Sequence, residues 1–141
     1  MAKAESTVSM NATPGQVMAV IADFERYPEF LPEIRGVSVL SSDNGVSTVR
    51  FDLQMLMKVS YTIVLTQEGD SQLRWELSES KLMKKNSGSW KLQPNDDGTT
   101  AVTYCIDLEL AGKLPASVND RMAGQALPET LARFKGRVES T

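Results

Sequence analysis

The chain contains no histidine among its 141 residues. Imidazole is the base of Ser-His-Asp and Cys-His catalysis and a common zinc ligand, so those sites are excluded by residue type. Cys105 is the one cysteine, and neither an intrachain disulfide nor a thiolate metal cluster can therefore form. We expect a reducing compartment, the cytoplasm, and no metal site.

Phosphate-binding loops, an excess of basic residues and long apolar runs are also missing. No pair of glycines has the spacing of a dinucleotide-binding or P-loop motif, so no cofactor is predicted. The net charge of −3 makes nucleic acid an unexpected partner. Apolar runs such as residues 53–57 are far shorter than the roughly 20 residues that span a bilayer. Residues 1–10 lack the apolar centre of a signal peptide, and the length fits one domain, residues 1–141.

The N-terminal region predicts a strand followed by two short helices. Alternation over residues 4–10 is typical of a strand. Thr13, Pro14 and Gln16 then supply an N-cap, a first-turn proline and the partner of a capping box, so a helix should begin at Pro14. Pro28 and Pro32 break this region, and we predict a two-helix unit over residues 14–34.

From residue 37 the pattern changes to strict alternation with regular turn signals. It predicts six strands joined by hairpins, at residues 37–42, 46–56, 59–67, 72–79, 85–93 and 99–110. One face of this antiparallel sheet is apolar, and the other carries Asp52, Glu76, Asp107 and Glu109, which we assign to solubility and cross-strand pairing. Cys105 is predicted on the same outer face.

The C-terminal segment supplies a cover for the apolar face. Apolar residues recur at helical spacing from Leu114 to Val138, with Val118, Met122, Leu131 and Phe134 facing the sheet and a kink at Pro128. The fold class is therefore α+β. A long helix crossing a curved sheet leaves space between them, and we expect a pocket there.

Three segments carry a resemblance to a known family: IADFERYPEFLP early in the chain, NSGSWKLQPNDDGTTAVTY late, and ALPETL near the end. Together with the element order they resemble the coenzyme-Q-binding and polyketide-cyclase branch of the START-like (Bet v 1-like, SRPBCC) superfamily. The resemblance implies a helix-grip fold, in which a curved antiparallel sheet of order β-α-α-β6-α wraps a long C-terminal helix. It also implies an apolar cavity for lipids, quinones or polyketides.

The predicted ligand-binding residues are those on the concave side of the sheet, on the facing helix and at the early proline segment. They are Tyr27, Phe30, Phe51, Leu53, Met55, Tyr61, Ile63, Trp75, Trp90, Tyr104, Val118 and Met122. Tyr27 and Phe30 either form the rim of the cavity or pack the short helices against the sheet. Met55 lies in a hairpin tip, which would give transient contact with a membrane surface if it is exposed and is ordinary core if it is covered.

The leading hypothesis is a non-enzymatic binding or carrier protein for a hydrophobic small molecule, a quinone, isoprenoid or other lipid. No catalytic residue is assigned. The first alternative is a polyketide cyclase or aromatase, for which Tyr61, Tyr104 and Arg35 are the candidate inward polar groups. The second is an interaction protein, because some START-like relatives act on large assemblies such as ribosomes.

Overall fold

The computed structural model describes residues 2–54, 58–81, 83–110 and 127–140. The chain begins with strand β1, Ala2–Met10, and helix α1, Pro14–Ile21. Helix α1 starts where the sequence predicts it. The Thr13 hydroxyl accepts a hydrogen bond from the Gln16 amide at 3.2 Å, and the Gln16 side chain accepts one from the Thr13 amide at 2.9 Å. This capping box satisfies two backbone donors at the helix start.

The second short helix is a 3₁₀ helix, Phe24–Glu29, rather than an α-helix. Pro28 lies inside it and has no amide hydrogen, and the following turn is closed by an i to i+3 bond from the Phe30 amide to the Tyr27 carbonyl. The predicted element order therefore holds except that α-α becomes α-3₁₀.

The six predicted strands are present and form one antiparallel sheet with β1. They are β2 Ile34–Asp43, β3 Val46–Gln54, β4 Lys58–Glu68, β5 Gln72–Glu79, β6 Met83–Pro94 and β7 Thr100–Leu110. The strand order is β1-β7-β6-β5-β4-β3-β2. Asn44 and Gly45 turn β2 into β3 with φ of 50° and 79°, the positive values that Asn and Gly tolerate. Register shifts in β2 mark bulges, which bend strands and curve a sheet.

The apolar face of the curved sheet is buried as the alternation predicts. Val49, Val59, Leu73, Val102 and Leu108 are at most 1% exposed. They belong to the same cluster as the buried residues of α1 and of the C-terminal helix. The hydrophobic core thus lies on the concave side, where it fixes the position of both helices against the sheet.

The C-terminal helix, α2, is described from Leu127 to Glu139. Leu131, Phe134 and Val138 are buried on its inner face. An ion pair between Arg137 and Glu29 (2.5 Å) and a hydrogen bond from the Asn11 amide to Glu139 (2.8 Å) fasten α2 to the 3₁₀ helix and to the end of β1. The predicted start at residue 114, the inward positions Val118 and Met122 and the region before the Pro128 kink lie outside the described residues. Within the described ranges, no helix is long and apolar enough to cross a membrane.

Candidate functional site

A cavity of about 460 Å³ lies between the concave face of the sheet, the segment after the 3₁₀ helix, and α2. Its volume is within the range of small-molecule sites. The wall combines aromatic, aliphatic and a few polar side chains. The lining residues are Tyr27, Leu31, Pro32, Glu33, Ile34, Arg35, Phe51, Leu53, Gln54, Tyr61, Ile63, Leu65, Trp75, Asn86, Trp90, Tyr104, Ile106, Leu108, Thr130, Arg133 and Phe134.

Aromatic residues are concentrated in this wall. The chain has four phenylalanines, three tyrosines and two tryptophans, and seven of these nine line the cavity. Their rings form a continuous series of contacts with centroids 4.5–5.9 Å apart, in the order Trp75, Tyr104, Trp90, Phe134, Tyr27, Phe51 and Tyr61. Ring pairs at these separations are attractive beyond the area that they bury. The cavity therefore presents an ordered aromatic band to whatever occupies it.

The Trp75 end of this band is held in place by two residues of β6. A Cβ at Gly88 would lie 2.4 Å from the Trp75 ring, so the indole packs directly on the glycine backbone. The Trp75 indole N–H donates to Asn86 Oδ1 at 2.9 Å. Asn86 is 4% exposed and is one of two buried polar residues in the described part of the chain. Packing and a hydrogen bond thus fix the same ring.

The three tyrosine hydroxyls of the cavity differ in their partners. The Tyr27 hydroxyl donates to the Ile21 carbonyl, which ties the 3₁₀ helix to the end of α1. The Tyr61 and Tyr104 hydroxyls have no hydrogen-bond partner among the described residues. Both side chains keep some exposure to the cavity, and both rings stack on aromatic neighbours. They are therefore placed to bond with a ligand.

The tyrosines remain neutral at physiological pH. Burial raises the pKa of Tyr61 well above its usual value. Burial is also the main cause of the raised pKa values of Tyr104 and Tyr27, and the neighbouring tyrosines raise both further. A neutral phenol donates or accepts a hydrogen bond but is a poor general base.

Charged groups of the cavity wall lie at its mouth. Arg35 and Arg133 are exposed, and Glu33 is partly buried. The other polar side chains among the described lining residues are uncharged, namely those of Gln54, Asn86, Thr130 and the tyrosines. The cavity therefore has a neutral, aromatic interior and a charged rim.

Eight of the predicted ligand-binding residues line this one cavity. They are Tyr27, Phe51, Leu53, Tyr61, Ile63, Trp75, Trp90 and Tyr104. Met55, Val118 and Met122 lie outside the described residues. That these side chains bind a ligand stays a prediction.

Phe30 does not line the cavity, contrary to the alternative that made it part of the rim. Its ring packs edge-on against Tyr27 and Phe134, and the Arg137 guanidinium lies 5.4 Å over it. It faces a separate groove between α1, the 3₁₀ helix and α2. These contacts favour the packing interpretation for Phe30.

Several lining residues were not assigned to the site by the sequence analysis, and Asn86 is the buried polar one among them. Residues 84–89, KKNSGS, contain no apolar side chain, so alternation gives no signal there. Counting back by twos from the inward Trp90 would have placed Gly88 and Asn86 on the concave face. Phe134 was predicted to face the sheet but was not assigned to the site, whose wall it forms.

The outer face has the character that the sequence predicts. Asp52 accepts from Ser60 and pairs with Arg50, and Asp107 pairs with Lys85 at 2.8 Å. The Cys105 thiol donates to Glu5 at 3.2 Å, and burial together with this carboxylate raises its pKa. Over the described residues, no three acidic or cysteine side chains converge as they would around a metal ion.

Comparison with protein families identifies the class. Residues 10–135 match the family described as polyketide cyclase/dehydrase and lipid transport. The chain belongs to this family. The match supports the polyketide-cyclase and START-like part of the predicted resemblance, and the coenzyme-Q-binding part stays a prediction.

Solved structures confirm the START-like fold. A START superfamily protein from Mycobacterium smegmatis superposes with a TM-score of 0.85 at 21% identity over 99% of both chains. The Zhui aromatase/cyclase from Streptomyces sp. R1128 has a TM-score of 0.82 at 18% identity, over 97% of this chain and 93% of that one. A STAR-related lipid transfer protein from Xanthomonas axonopodis has a TM-score of 0.81 at 16% identity, over 96% of this chain and 85% of that fragment.

One curated relative matches part of the chain. The persistence and stress-resistance toxin PasT of Escherichia coli O6:H1 is 25% identical over 100 residues. The match covers 70% of this chain and 63% of PasT, so the chain spans less than two thirds of that relative.

Proposed function

We propose that this protein is a non-enzymatic carrier of a hydrophobic small molecule, of the quinone or isoprenoid-lipid type, held in the cavity between the sheet and α2. The observation that carries the proposal is the chemistry of the interior: over the described lining residues, a continuous aromatic band with neutral polar groups and no charged side chain beyond the mouth. We further propose that residues 1–141 act as one domain in the cytoplasm.

The aromatic band favours a flat ring in the ligand. Offset stacking on rings such as Trp90 and Phe51 rewards a planar, unsaturated group over a branched aliphatic one. Burying about 200 Å² of apolar ligand surface would contribute about 5 kcal/mol before the costs of association. Useful affinity is therefore compatible with few polar contacts.

The unpartnered hydroxyls suit the oxygens of a quinone. Tyr61 and Tyr104 can each donate to a carbonyl, and their raised pKa values keep the protons in place. Neither phenol needs to give up its proton for such a ligand to bind. These properties suit a binding protein rather than a proton-transfer catalyst.

Binding can be tested with a short-chain ubiquinone and the intrinsic fluorescence of Trp75 and Trp90, the two tryptophans of the chain. Both line the cavity, so an electron-accepting quinone should quench their emission saturably. Native mass spectrometry of the protein purified from its own host should show a bound lipophile that extraction then identifies. If quinones, fatty acids and polyketide analogues all leave the emission unchanged at near-millimolar concentration, the carrier proposal fails and the interaction-protein hypothesis moves ahead.

A pair of variants on β4 provides the matched control, with affinity measured by equilibrium dialysis. Ile63→Trp places an indole in the cavity and should weaken quinone binding at least tenfold. Val64→Trp adds the same side chain to the next residue, whose side chain alternates to the outer face, and should leave binding within about twofold. Equal effects of the two variants would place the ligand elsewhere.

The alternative function is a polyketide cyclase. Its support is the family to which the chain belongs and the presence, in the same cavity, of two tyrosine hydroxyls without a partner among the described residues. Incubation with a poly-β-ketone chain distinguishes the two functions. A carrier slows the spontaneous cyclisation or leaves its product mixture unchanged, whereas a cyclase directs it to one regioisomer, and this direction is lost in Tyr61→Phe/Tyr104→Phe.

A further inference from the structure

Asn86 is a buried amide in a cavity whose wall is mainly aromatic and aliphatic. The other buried polar residue of the described chain, Thr100, donates its hydroxyl to the Ala12 carbonyl at 2.7 Å and is a structural tie away from the cavity wall. Asn86 lines the cavity. A buried polar group is retained where hydrogen bonds compensate its desolvation, so the partners of Asn86 show what it does.

The orientation of the Asn86 amide is determined by Trp75. An indole N–H can only donate, so the atom that faces it at 2.9 Å must be the amide oxygen. The NH₂ group therefore points away from the indole. Its partner among the described residues is the thioether sulfur of Met83 at 3.7 Å, a weak acceptor. An NH₂ group carries two donor hydrogens, and at least one has no strong acceptor among the described residues.

Gly88 prevents this arrangement from relaxing by a movement of the ring. A Cβ at position 88 would lie 2.2 Å from the Cys105 carbonyl oxygen and 2.4 Å from Cζ2 of Trp75. The indole thus rests on the backbone of β6 while its N–H is bonded to Asn86 two residues away. Tyr104 contacts its ring with a centroid distance of 5.6 Å.

We propose that Trp75 and Asn86 form a recognition subsite for an uncharged oxygen acceptor on the ligand, a ring carbonyl above all, with the indole as platform and the Asn86 NH₂ as donor. This inference rests on the proposed function and narrows it to the ligand's polar group. A hydrocarbon would leave the donor unpaired, and a carboxylate would have to be stripped of water with no positive charge beside it.

The test compares two probes of matched chain length in the wild-type protein and in Asn86→Leu: a short-chain ubiquinone and an isoprenoid hydrocarbon that carries no oxygen. Loss of one neutral hydrogen bond should weaken quinone binding by about tenfold. Hydrocarbon binding should stay within about twofold, because Leu keeps the branched shape of the Asn side chain and removes only its polar atoms. Asn86→Ala, which only enlarges an existing cavity, replaces the Leu variant if that variant does not fold.

The carbonyl stretch of the bound quinone gives a second readout that a structural role would not move. It should lie at lower frequency in the wild-type complex than in Asn86→Leu, since a donated hydrogen bond weakens the C=O bond. If both probes lose affinity equally and the stretch is unchanged, Asn86 only positions Trp75, and the inference is overturned while the carrier function stands. If the wild-type protein binds neither probe, the proposed function fails and the subsite fails with it.

Discussion

Strands β6 and β7 carry polar groups on both of their faces, but the groups on the two faces differ in whether they have hydrogen-bond or ion-pair partners. On the outer face, Lys85 is paired with Asp107 and the Cys105 thiol donates to Glu5. On the concave face, the Tyr104 hydroxyl has no partner in the described structure, and the NH₂ of Asn86 has only a sulfur. The outer face pairs these donors and leaves one acceptor, the second oxygen of Asp107, buried without a partner in the described structure, whereas the inner face leaves donors unused.

This difference is the basis of the proposed ligand site on the concave face. Water competes for every polar group of the outer face, so ion pairs there contribute little and select nothing. An unused donor in an apolar cavity is costly until a ligand pairs with it, and it therefore discriminates between ligands. For ligand selection, the number of polar groups on a face matters less than whether those groups already have hydrogen-bond partners within the protein.

Among the tests of this difference between the two faces, alkaline pH should change the free energy of unfolding the most. The usual tyrosine pKa is 10.0, and Tyr27, Tyr61 and Tyr104 all have raised pKa values in the fold. Their contribution to stability is complete below pH 10 and is lost as the pH rises, because only the unfolded chain releases these protons. At pH 11 the loss should reach about 4 kcal/mol for three tyrosines.

Tyrosinate absorbance and circular dichroism, recorded together against pH, check this expectation. Both should change in one transition, since ionisation requires unfolding. The variant Tyr61→Phe/Tyr104→Phe should keep only about a third of the pH dependence. If the tyrosinate absorbance rises near pH 10 while the circular dichroism still shows the folded protein, the cavity tyrosines are as accessible to solvent as groups on the outer face.

Gly88→Ala should give the next largest effect. The new methyl group would overlap the Cys105 carbonyl and the Trp75 ring, and the free energy of unfolding should fall by about 3 kcal/mol. Urea denaturation measures it. Gly136→Ala is the control: nothing lies within 4 Å of a Cβ there, on the exposed side of α2, and a gain of about 0.5–1 kcal/mol is expected. Equal stabilities would show that the sheet yields at Gly88 and that the indole is not fixed.

The sequence predicted the strand faces well because apolar alternation is direct evidence of burial. Phe51, Ile63, Trp75 and Trp90 were all placed on the concave side, and they are buried there. The prediction failed where that evidence stops. Asn86 lies in a polar run, and only its register to Trp90 reveals its face.

The choice between the two interpretations of Phe30 could not be made from the sequence, for a different reason. The proline spacing predicts a break in a helix but does not show whether the next turn is 3₁₀ or α. The type of helix sets the direction of the side chains on that turn. The sequence also does not show which side-chain hydroxyls have a hydrogen-bond partner. Nothing in the residue types shows that the Tyr27 hydroxyl is bonded and that of Tyr61 is not.

Lys85→Met tests the outer face, where smaller effects are expected. Asp107 is 13% exposed and its second oxygen is buried without a partner in the described structure, so loss of the Lys85 ammonium should cost about 1–2 kcal/mol at pH 7. Arg50→Met removes a pair whose side chains are 54% and 42% exposed, and should cost at most about 0.5 kcal/mol. Urea denaturation of both variants separates the cases, and a larger loss for Arg50→Met would contradict the expected order.

Deleting single hydroxyl groups from the concave face should give the smallest change in stability and the clearest separation of roles. Tyr27→Phe removes a buried hydroxyl that is bonded to the Ile21 carbonyl, and should lower the free energy of unfolding by about 1 kcal/mol. Tyr61→Phe and Tyr104→Phe remove hydroxyls without a partner, so their stability should match that of the wild type within about 0.3 kcal/mol.

Ligand affinity should show the reverse order. Quinone binding should weaken by up to about tenfold in Tyr61→Phe or Tyr104→Phe, because a donated hydrogen bond is lost, and should stay nearly unchanged in Tyr27→Phe, whose hydroxyl is already occupied. Thermal denaturation and fluorescence quenching on the same three variants measure both quantities. If Tyr61→Phe and Tyr104→Phe lose stability as Tyr27→Phe does, their hydroxyls serve the fold rather than a ligand. The unused donors of the concave face would then not select the cargo.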